Sequence, residues 1–309
     1  MSVRGEFVFC KTGEVMTGKF TSQEEIEHYQ KYLELSEKNK AKDYWYKVIN
    51  EMKGSFVMLF YDIQEALDYG IKPANLTRLI FLSTYLNYND NHLINDEQYI
   101  NKNVLKSIMN LPRKTFDRFY DDLIQANILS VDDDGFYMLD TDKFVKGCLS
   151  KDIRKLKHIM QIYERSIRSL YRNVKYTDHK FLSYLFQAIP YVNIQKNVIC
   201  KNPQETVLNK VLPMTLHEYL DTIGYNSHNA QRFINTIIKF KVDNKPVFNF
   251  VKNGCGDFIF INPQVYYGGS EWDSIRVLGE FVTQEEADDD FSQAIRKNKR
   301  LDKIEILNL

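Results

Sequence analysis

The sequence predicts a mainly α-helical chain with small β hairpins, an α+β fold in which one arrangement of elements occurs twice. Three observations lead there. From Phe56 to Gly147 the chain reads helix, short strand, helix, tight turn, helix, hairpin. The same order returns towards the C-terminus, where "QRFINTII" (Gln231 to Ile238) follows "DRFYDDLI" (Asp117 to Ile124) by 114 positions. Between the copies, Ser150 to Val174 carries an apolar stripe at helical spacing opposite a strongly basic face.

The elements follow in order. Residues 1–20, "MSVRGEFVFCKTGEVMTGKF", read as a hairpin: two β-prone runs flank "KTGE", with Gly13 in the turn. "TSQE" then fits a capping box in which Thr21 reaches forward and Glu24 back. One or two amphipathic helices follow over residues 24–53. "FVMLFY" (Phe56 to Tyr61) is a buried strand, and "DIQEALDYG" a short helix stopping at Gly70. Pro73 opens a helix that is apolar on most faces and therefore buried. "HLIN" is a short strand, and "NKNVLKSIMNL" a helix with Leu105, Ile108 and Met109 on one face.

The next stretch, "NLPRKTFDRFYDDLIQANIL" (Asn110 to Leu129), decides the reading. Asn110 supplies the left-handed residue that a tight helix–helix turn requires. Leu111 plugs the core and Pro112 opens the third helix. Phe116, Phe119, Tyr120 and Leu123 face inward, leaving Arg113, Lys114, Thr115, Asp117 and Arg118 largely outside. Two cations at a helix N-terminus oppose the helix dipole, and an anion brought to that end resolves the conflict. Two short β runs close the unit around Asp134-Gly135. This order is that of the winged-helix fold.

The second copy repeats these features. Shifted by 114, Leu105 falls on Tyr219, Asn110 on Gly224, Leu111 on Tyr225 and Pro112 on Asn226, a favoured N-cap. "GFYMLDTDKFVKG" aligns with "DFIFINPQVYYGG" at a shift of 122, so the second wing is expected to be eight residues longer, with "NGCG" as its turn. "FLS" at Phe81 and Phe181 places the first helix of each copy. The competing reading is two unrelated amphipathic helices that share an Arg-Phe pair. The expected organisation is tandem winged-helix domains joined by a long basic helix: an N-terminal hairpin and helices (1–55), a first domain (56–148), the connecting helix (149–176), a second domain (177–282) and a tail (283–309).

Composition narrows the function. Lys+Arg and Asp+Glu both total 41, so any basic surface is local. Cys10, Cys148, Cys200 and Cys255 show no metal-ligand spacing and suit reduced thiols in a cytosol. No apolar leader stands at the N-terminus, and the longest apolar run is far too short to span a bilayer, so a cytoplasmic protein without membrane contact is expected. No P-loop, dinucleotide fingerprint, GxSxG or HExxH motif occurs. His158, His179 and His217 are scattered and read as helix-surface or core residues. The expectation is a protein that is not an enzyme and uses no cofactor and no metal.

The stretch "NVLKSIMNLPRKTFDRFYDDLIQANIL…GFYMLDTDKFVKG" resembles the winged-helix domain of replication proteins from small Gram-positive plasmids and related phage regulators, over about residues 56–147. The tandem arrangement resembles, in architecture alone, plasmid replication initiators of the two-winged-helix type. The resemblance implies a sequence-specific double-stranded DNA-binding protein of a phage or plasmid, acting in transcription regulation or replication initiation. Arg113, Lys114, Thr115 and Arg118 would enter one major groove, and Ser227, His228, Asn229 and Arg232 another, about one helical turn away. Arg154, Lys155, Arg165 and Arg168 would follow phosphates along the connecting helix, for which a plain solvated face is the alternative. Lys245 and Lys252 would serve a wing contact.

One feature departs from this pattern. The first wing, "VDDDG", carries Asp132, Asp133 and Asp134, which repel DNA. This wing, the neutral total charge and the apolar tail support the alternative of a winged-helix interaction module that binds a host or phage protein through the acidic wing or the C-terminal tail. The oligomeric state is left open.

Overall fold

Four strands from distant parts of the chain pair into one antiparallel sheet. The computed structural model describes residues 3–8, 15–20, 31, 36 and 55–269, except 89, 151, 154–156, 208, 209, 254 and 255. The chain divides into two units, Met1–Glu51 and Met52–Leu309. In the first, β1 (Val3–Val8) and β2 (Val15–Phe20) form the antiparallel hairpin expected from the sequence, Val3 opposite Phe20 and Val8 opposite Val15. The expected Gly13 turn, the Thr21 capping box, the helices of 24–53 apart from the helical Lys31 and Ser36, and the tail beyond 269 lie outside the described residues.

The second unit mixes helices with small antiparallel hairpins. Its central sheet has the order β14 (Tyr266–Tyr267), β9 (His158–Tyr163), β3 (Phe56–Tyr61), β8 (Phe144–Val145). Each inner strand alternates apolar side chains towards the helices. Val57, Leu59, Met160 and Ile162 are all fully buried there. Against that face pack α1 (Pro73–Ser83) and α5 (His179–Gln187), the first long helices of the two copies. Every residue of α1 from Asn75 to Ser83 is buried, which is why its sequence is apolar on most sides.

The pairing register repeats itself. Met58 lies opposite Gln161, and this pair is the centre of symmetry. Val57 faces Ile162 and Leu59 faces Met160; the places where the outer strands join make each residue of β3 correspond to the one 103 positions later in β9. The outer strands obey the same correspondence. Met58 and Leu59 pair with Val145 and Phe144, and Gln161 and Ile162 pair with Tyr267 and Tyr266. Adjacent antiparallel strands with matched register are related by a local twofold axis perpendicular to the sheet.

Correspondence continues outwards. After α1 come β4 (Ile94–Asn95), β5 (Gln98–Tyr99), α2 (Lys102–Met109), α3 (Arg113–Gln125), β6 (Leu129–Val131) and β7 (Tyr137–Leu139). After α5 come α6 (Leu216–Thr222), a 3-10 turn at Ser227–Asn229, α7 (Ala230–Ile237), β12 (Phe248–Asn253) and β13 (Gly256–Ile261). His92 bridges to Met138 in β7, and Val198 bridges to Phe260 in β13, again 122 positions on. Asn91 and Asn197 make the closest match. Both are buried and left-handed, with φ 57 and 51. The Asn91 Nδ2 donates to the carbonyls of Leu139 (3.1 Å) and Phe144 (2.7 Å). The Asn197 Nδ2 donates to those of Ile261 (3.2 Å) and Tyr266 (2.8 Å). Each amide ties its copy's hairpin to the strand that joins the central sheet.

Several expectations are corrected. The long basic helix of 149–176 does not exist as one element: its middle is strand β9, with Asp152 and Ile153 helical before it and α4 (Glu164–Asn173) helical after it. "HIMQIY" serves a helical stripe and an alternating strand equally well, and pairing with β3 decides between them. Ile153, assigned to the inward stripe, is exposed, and His158 is a strand residue. The segment after β3 is a series of turns rather than a short helix, because Gln64, Tyr69 and Gly70 take positive φ. The eight extra residues of the second copy are not all in its last hairpin. Phe248 opposite Ile261 corresponds to Leu129 opposite Leu139, so five residues precede β12 and three lengthen the hairpin. The earlier insertion folds as β10 (Lys241–Val242) and β11 (Lys245–Pro246).

Candidate nucleic-acid interface

The turn between α2 and α3 places the first set of candidate residues. Asn101 caps α2, its Oδ1 accepting from the backbone N–H groups of Asn103 (3.0 Å) and Val104 (3.1 Å). Asn110 ends α2 at φ 45, ψ 46, the left-handed conformation its amide side chain tolerates. Leu111 packs against the core and Pro112 caps α3 with an extended backbone. Phe116, Phe119 and Leu123 then fill the interior and fix the rotation of α3. Consequently Arg113, Lys114 and Arg118 are exposed and Thr115 is half-buried.

No acidic residue occupies the first turn of α3. The Arg113 side chain is 91% exposed and only 4.0 Å from the Asp117 carboxylate, a contact that solvent screens. Asp121 is exposed one turn further on, so the positive charge is concentrated at the helix start. Two cations unmarked by the sequence reading flank it. Lys102 Nζ lies 4.3 Å from the centre of the Tyr120 ring, and Lys106 Nζ 5.7 Å from that of Phe116. Their spacing of four in α2 was the available signal, visible only once α2 and α3 are packed.

The second set is held the same way. Thr215 and Glu218 form a complete capping box on α6: the Thr215 Oγ1 accepts from the Glu218 N–H and the Glu218 carboxylate accepts from the Thr215 N–H. The Glu218 carboxylate also pairs with Lys201, and Lys201 and the Thr215 donors hold it down to about 2. Gly224 takes φ +67 at the position of Asn110. The Asn226 side chain accepts from the His228 N–H at 3.0 Å and starts the 3-10 turn. Phe233 and Ile237 are fully buried, at the positions of Phe119 and Leu123. His228, Asn229, Gln231 and Arg232 are exposed and Ser227 is half-buried. The sequence expected one continuous helix here; its first turn is 3-10.

The proposed phosphate rail fares differently. Arg154 and Lys155 lie outside the described residues. Arg165 is exposed and 3.7 Å from Asp243. Arg168 is a correction: its Nε donates to the Thr84 Oγ1 (3.0 Å) and its Nη2 to the Thr84 carbonyl at the end of α1. It also lies 4.2 Å from the centre of the Tyr85 ring and 3.7 Å from Glu164. This guanidinium locks α4 onto α1, a role no local sequence pattern betrays. Lys252 sits in β12 opposite Asp257. Lys245 belongs to the small β10–β11 hairpin instead of the last one.

The acidic hairpin tip is partly explained. Asp132 Oδ1 accepts from the N–H groups of Asp134 (3.0 Å) and Phe136 (2.8 Å), and its Oδ2 is 3.0 Å from His92 Nε2. The Phe136 N–H, with His92, holds this carboxyl below the usual range. Asp132 therefore shapes the turn, leaving Asp133 and Asp134 exposed.

Beside the Asn110 turn a cleft of about 420 Å³ is lined by Tyr171, Arg172, Lys175 and His179 among others. Tyr171 stacks on Phe81 at 3.7 Å and donates from its hydroxyl to the Met109 carbonyl at 2.9 Å, which anchors the end of α2. Among the described residues, no three His, Cys, Asp or Glu side chains gather as a metal site would require, and no helix is long and apolar enough to cross a membrane. No family model, curated protein or solved structure matches this chain.

Proposed function

We propose that residues 56–269 comprise two tandem winged-helix units and that the protein binds double-stranded DNA sequence-specifically. The observation that carries this reading is the exposed polar face of the third helix in both copies, each set on its unit by equivalent buried residues. In the first copy the face offers Arg113, Lys114 and Arg118, and in the second His228, Asn229, Gln231 and Arg232. Arg suits guanine or phosphate, and Asn and Gln suit adenine. The resemblance of the first copy to plasmid and phage proteins supports a role in transcription regulation or replication initiation, by binding and not by catalysis. With Arg168 tied to Thr84, Lys102 and Lys106 take over the flanking phosphate contacts.

The test is retention on mixed-sequence duplex DNA as salt rises, for the full chain and for the double charge reversal Arg113→Glu, Arg118→Glu. Binding should weaken steeply with salt, and the variant should lose at least tenfold in affinity. Absence of any retention at low salt overturns the reading.

A second reading is favoured by Asp133 and Asp134 at the first hairpin tip and Asp117 and Asp121 on α3. These exposed carboxylates suit a basic protein partner. On that reading the variant would be unaffected on DNA, and a Asp133→Lys, Asp134→Lys chain would lose its partner.

A further inference from the structure

We infer that the cleft beside the Asn110 turn binds a small aromatic anion, a flat ring carrying one phosphate, of the mononucleotide class. The site is separate from the DNA-reading faces. Only its effect on DNA rests on the function proposed above.

The cleft opens where two helices end. One wall is the end of α2 with Asn110, and the other runs from Tyr171 near the end of α4 to His179 at the start of α5. Its volume of about 420 Å³ lies at the lower end of the range for small-molecule sites, roughly 300–1,000 Å³.

Charge sets the sign of the ligand. Arg172 and Lys175 are exposed at the rim, and no carboxylate among the described residues lines the cleft. A third cation lies behind the wall. Arg78 is only 6% exposed, and its guanidinium reaches neutral partners: the Asn75 Oδ1, the Tyr176 carbonyl (3.4 Å) and the His179 Nδ1 (3.4 Å). The last two bonds are long, and both belong to residues that line the cleft. Asp122 reaches Arg78 through the Asn75 amide, which donates to the Asp122 Oδ2 at 2.6 Å. A buried cation without a direct counter-ion is costly, and an anion in the adjoining cleft offsets that cost. The two helix C-termini oppose an anion with about half a negative charge each, against three full positive charges. Their end carbonyls are also partly taken. That of Met109 accepts from the Tyr171 hydroxyl (2.9 Å), that of Lys106 from the Asn110 N–H (3.2 Å) and that of Leu170 from the Val174 N–H (3.1 Å).

Rings set its shape. Tyr171 stacks on Phe81 at 3.7 Å and lies 4.4 Å from the His179 ring. Burial, then the Arg78 charge, keep His179 neutral, so it adds an aromatic surface and no charge. Tyr176 is 43% exposed, a large ring that the chain leaves uncovered at the cleft. Such surfaces take a flat heterocycle by stacking.

Position gives the site its consequence. The Tyr171 hydroxyl holds the Met109 carbonyl, and Asn110 then makes the left-handed turn that leads to Arg113. An anion seated beside this turn repels an approaching phosphate backbone. Occupancy should therefore weaken DNA binding, by about 5- to 150-fold.

The test titrates the full chain, without DNA, with the 5′-monophosphates of adenosine, guanosine, cytidine and uridine in a calorimeter. At least one should bind with a Kd below about 1 mM, and at least tenfold tighter than its nucleoside or inorganic phosphate. The double variant Arg172→Gln, Lys175→Gln alters exposed side chains only. It should lower that affinity at least tenfold while thermal unfolding without ligand stays the same. Absence of nucleotide binding, or binding that the double variant leaves untouched, overturns the inference. Equal affinity for inorganic phosphate overturns it too, since the rings then select nothing. If nucleotides fail and the double variant instead loses DNA affinity, the cleft seats a backbone phosphate; the free ligand is overturned and the DNA reading stands. Nucleotide binding without any retention on DNA supports the site and overturns the proposed function alone.

Discussion

Replacing Asn91 by Gly tests the physical basis of the repeated architecture. The Asn91 amide is buried and donates at 3.1 Å and 2.7 Å to two carbonyls that belong to different elements, Leu139 in β7 and Phe144 in β8. Glycine accepts φ 57 freely, so the Gly variant removes the two bonds without straining the backbone. Each lost bond costs about 1 kcal/mol net, and a carbonyl left dry costs more, so about 2–4 kcal/mol is expected. Alanine loses the same bonds and also carries a Cβ in the left-handed region, adding about 1–2 kcal/mol. Against a total of roughly 5–15 kcal/mol for a domain, either loss is large. Urea unfolding of the purified chain at constant slope reads it directly. The Asn197→Gly variant should cost a similar amount, since its bonds are 3.2 Å and 2.8 Å long. The reasoning is refuted if Asn91→Gly costs under about 0.5 kcal/mol, or if Ala and Gly are indistinguishable.

Other outcomes follow from the same structure. His179 is buried beside Arg78, and burial first, then that charge, push its pKa down to about 4. The folded protein keeps it neutral, so its contribution is complete above the ordinary value near 6.5 and is lost as pH falls towards 4. About 2–3 kcal/mol is at stake, and the pH dependence of unfolding between 7 and 5 should flatten in His179→Gln. Gly224 at φ +67 has open space for a Cβ, so Gly224→Asn should be nearly neutral, because Asn110 holds the equivalent position, and Gly224→Ala should cost about 1 kcal/mol by thermal unfolding. Leu59→Ala, at a fully buried site of the central sheet, should cost about 2–5 kcal/mol in the same assay. Cys148 is exposed and Cys200 is buried with its thiol pushed up to about 12, so native labelling mapped by mass spectrometry should modify Cys148 and spare Cys200 until the chain unfolds.

Elements that settle their own conformation were legible in the sequence. The Asn110 turn, the Asn226 cap, the inward Phe119 and Phe233 and the exposed Arg113 and Arg118 follow from local rules of helix ends and helical spacing. So did the alignment of the two copies: the shift of 122 reappears in the matched pairings, and at a shift of 114 Phe119 and Leu123 fall on the equally buried Phe233 and Ile237. Segments that look alike in two conformations were not. "HIMQIY" has a stripe that fits a helix and an alternation that fits a strand, and only the partner β3 selects the strand. The residues after Tyr61 have helical composition, yet Gln64 is drawn into a left-handed turn by its bonds to the second copy.

Sequence by itself determined which residues could form each repeated unit, because periodicity, caps and turn residues act over a few neighbours. Tertiary structure alone decided how the units are joined: strand pairing links Phe56–Tyr61 to His158–Tyr163, and Arg168 finds Thr84, 84 positions earlier in the chain. Such contacts depend on hydrogen-bond partners and buried surface supplied by remote parts of the chain, and no local pattern specifies which remote partner will be there.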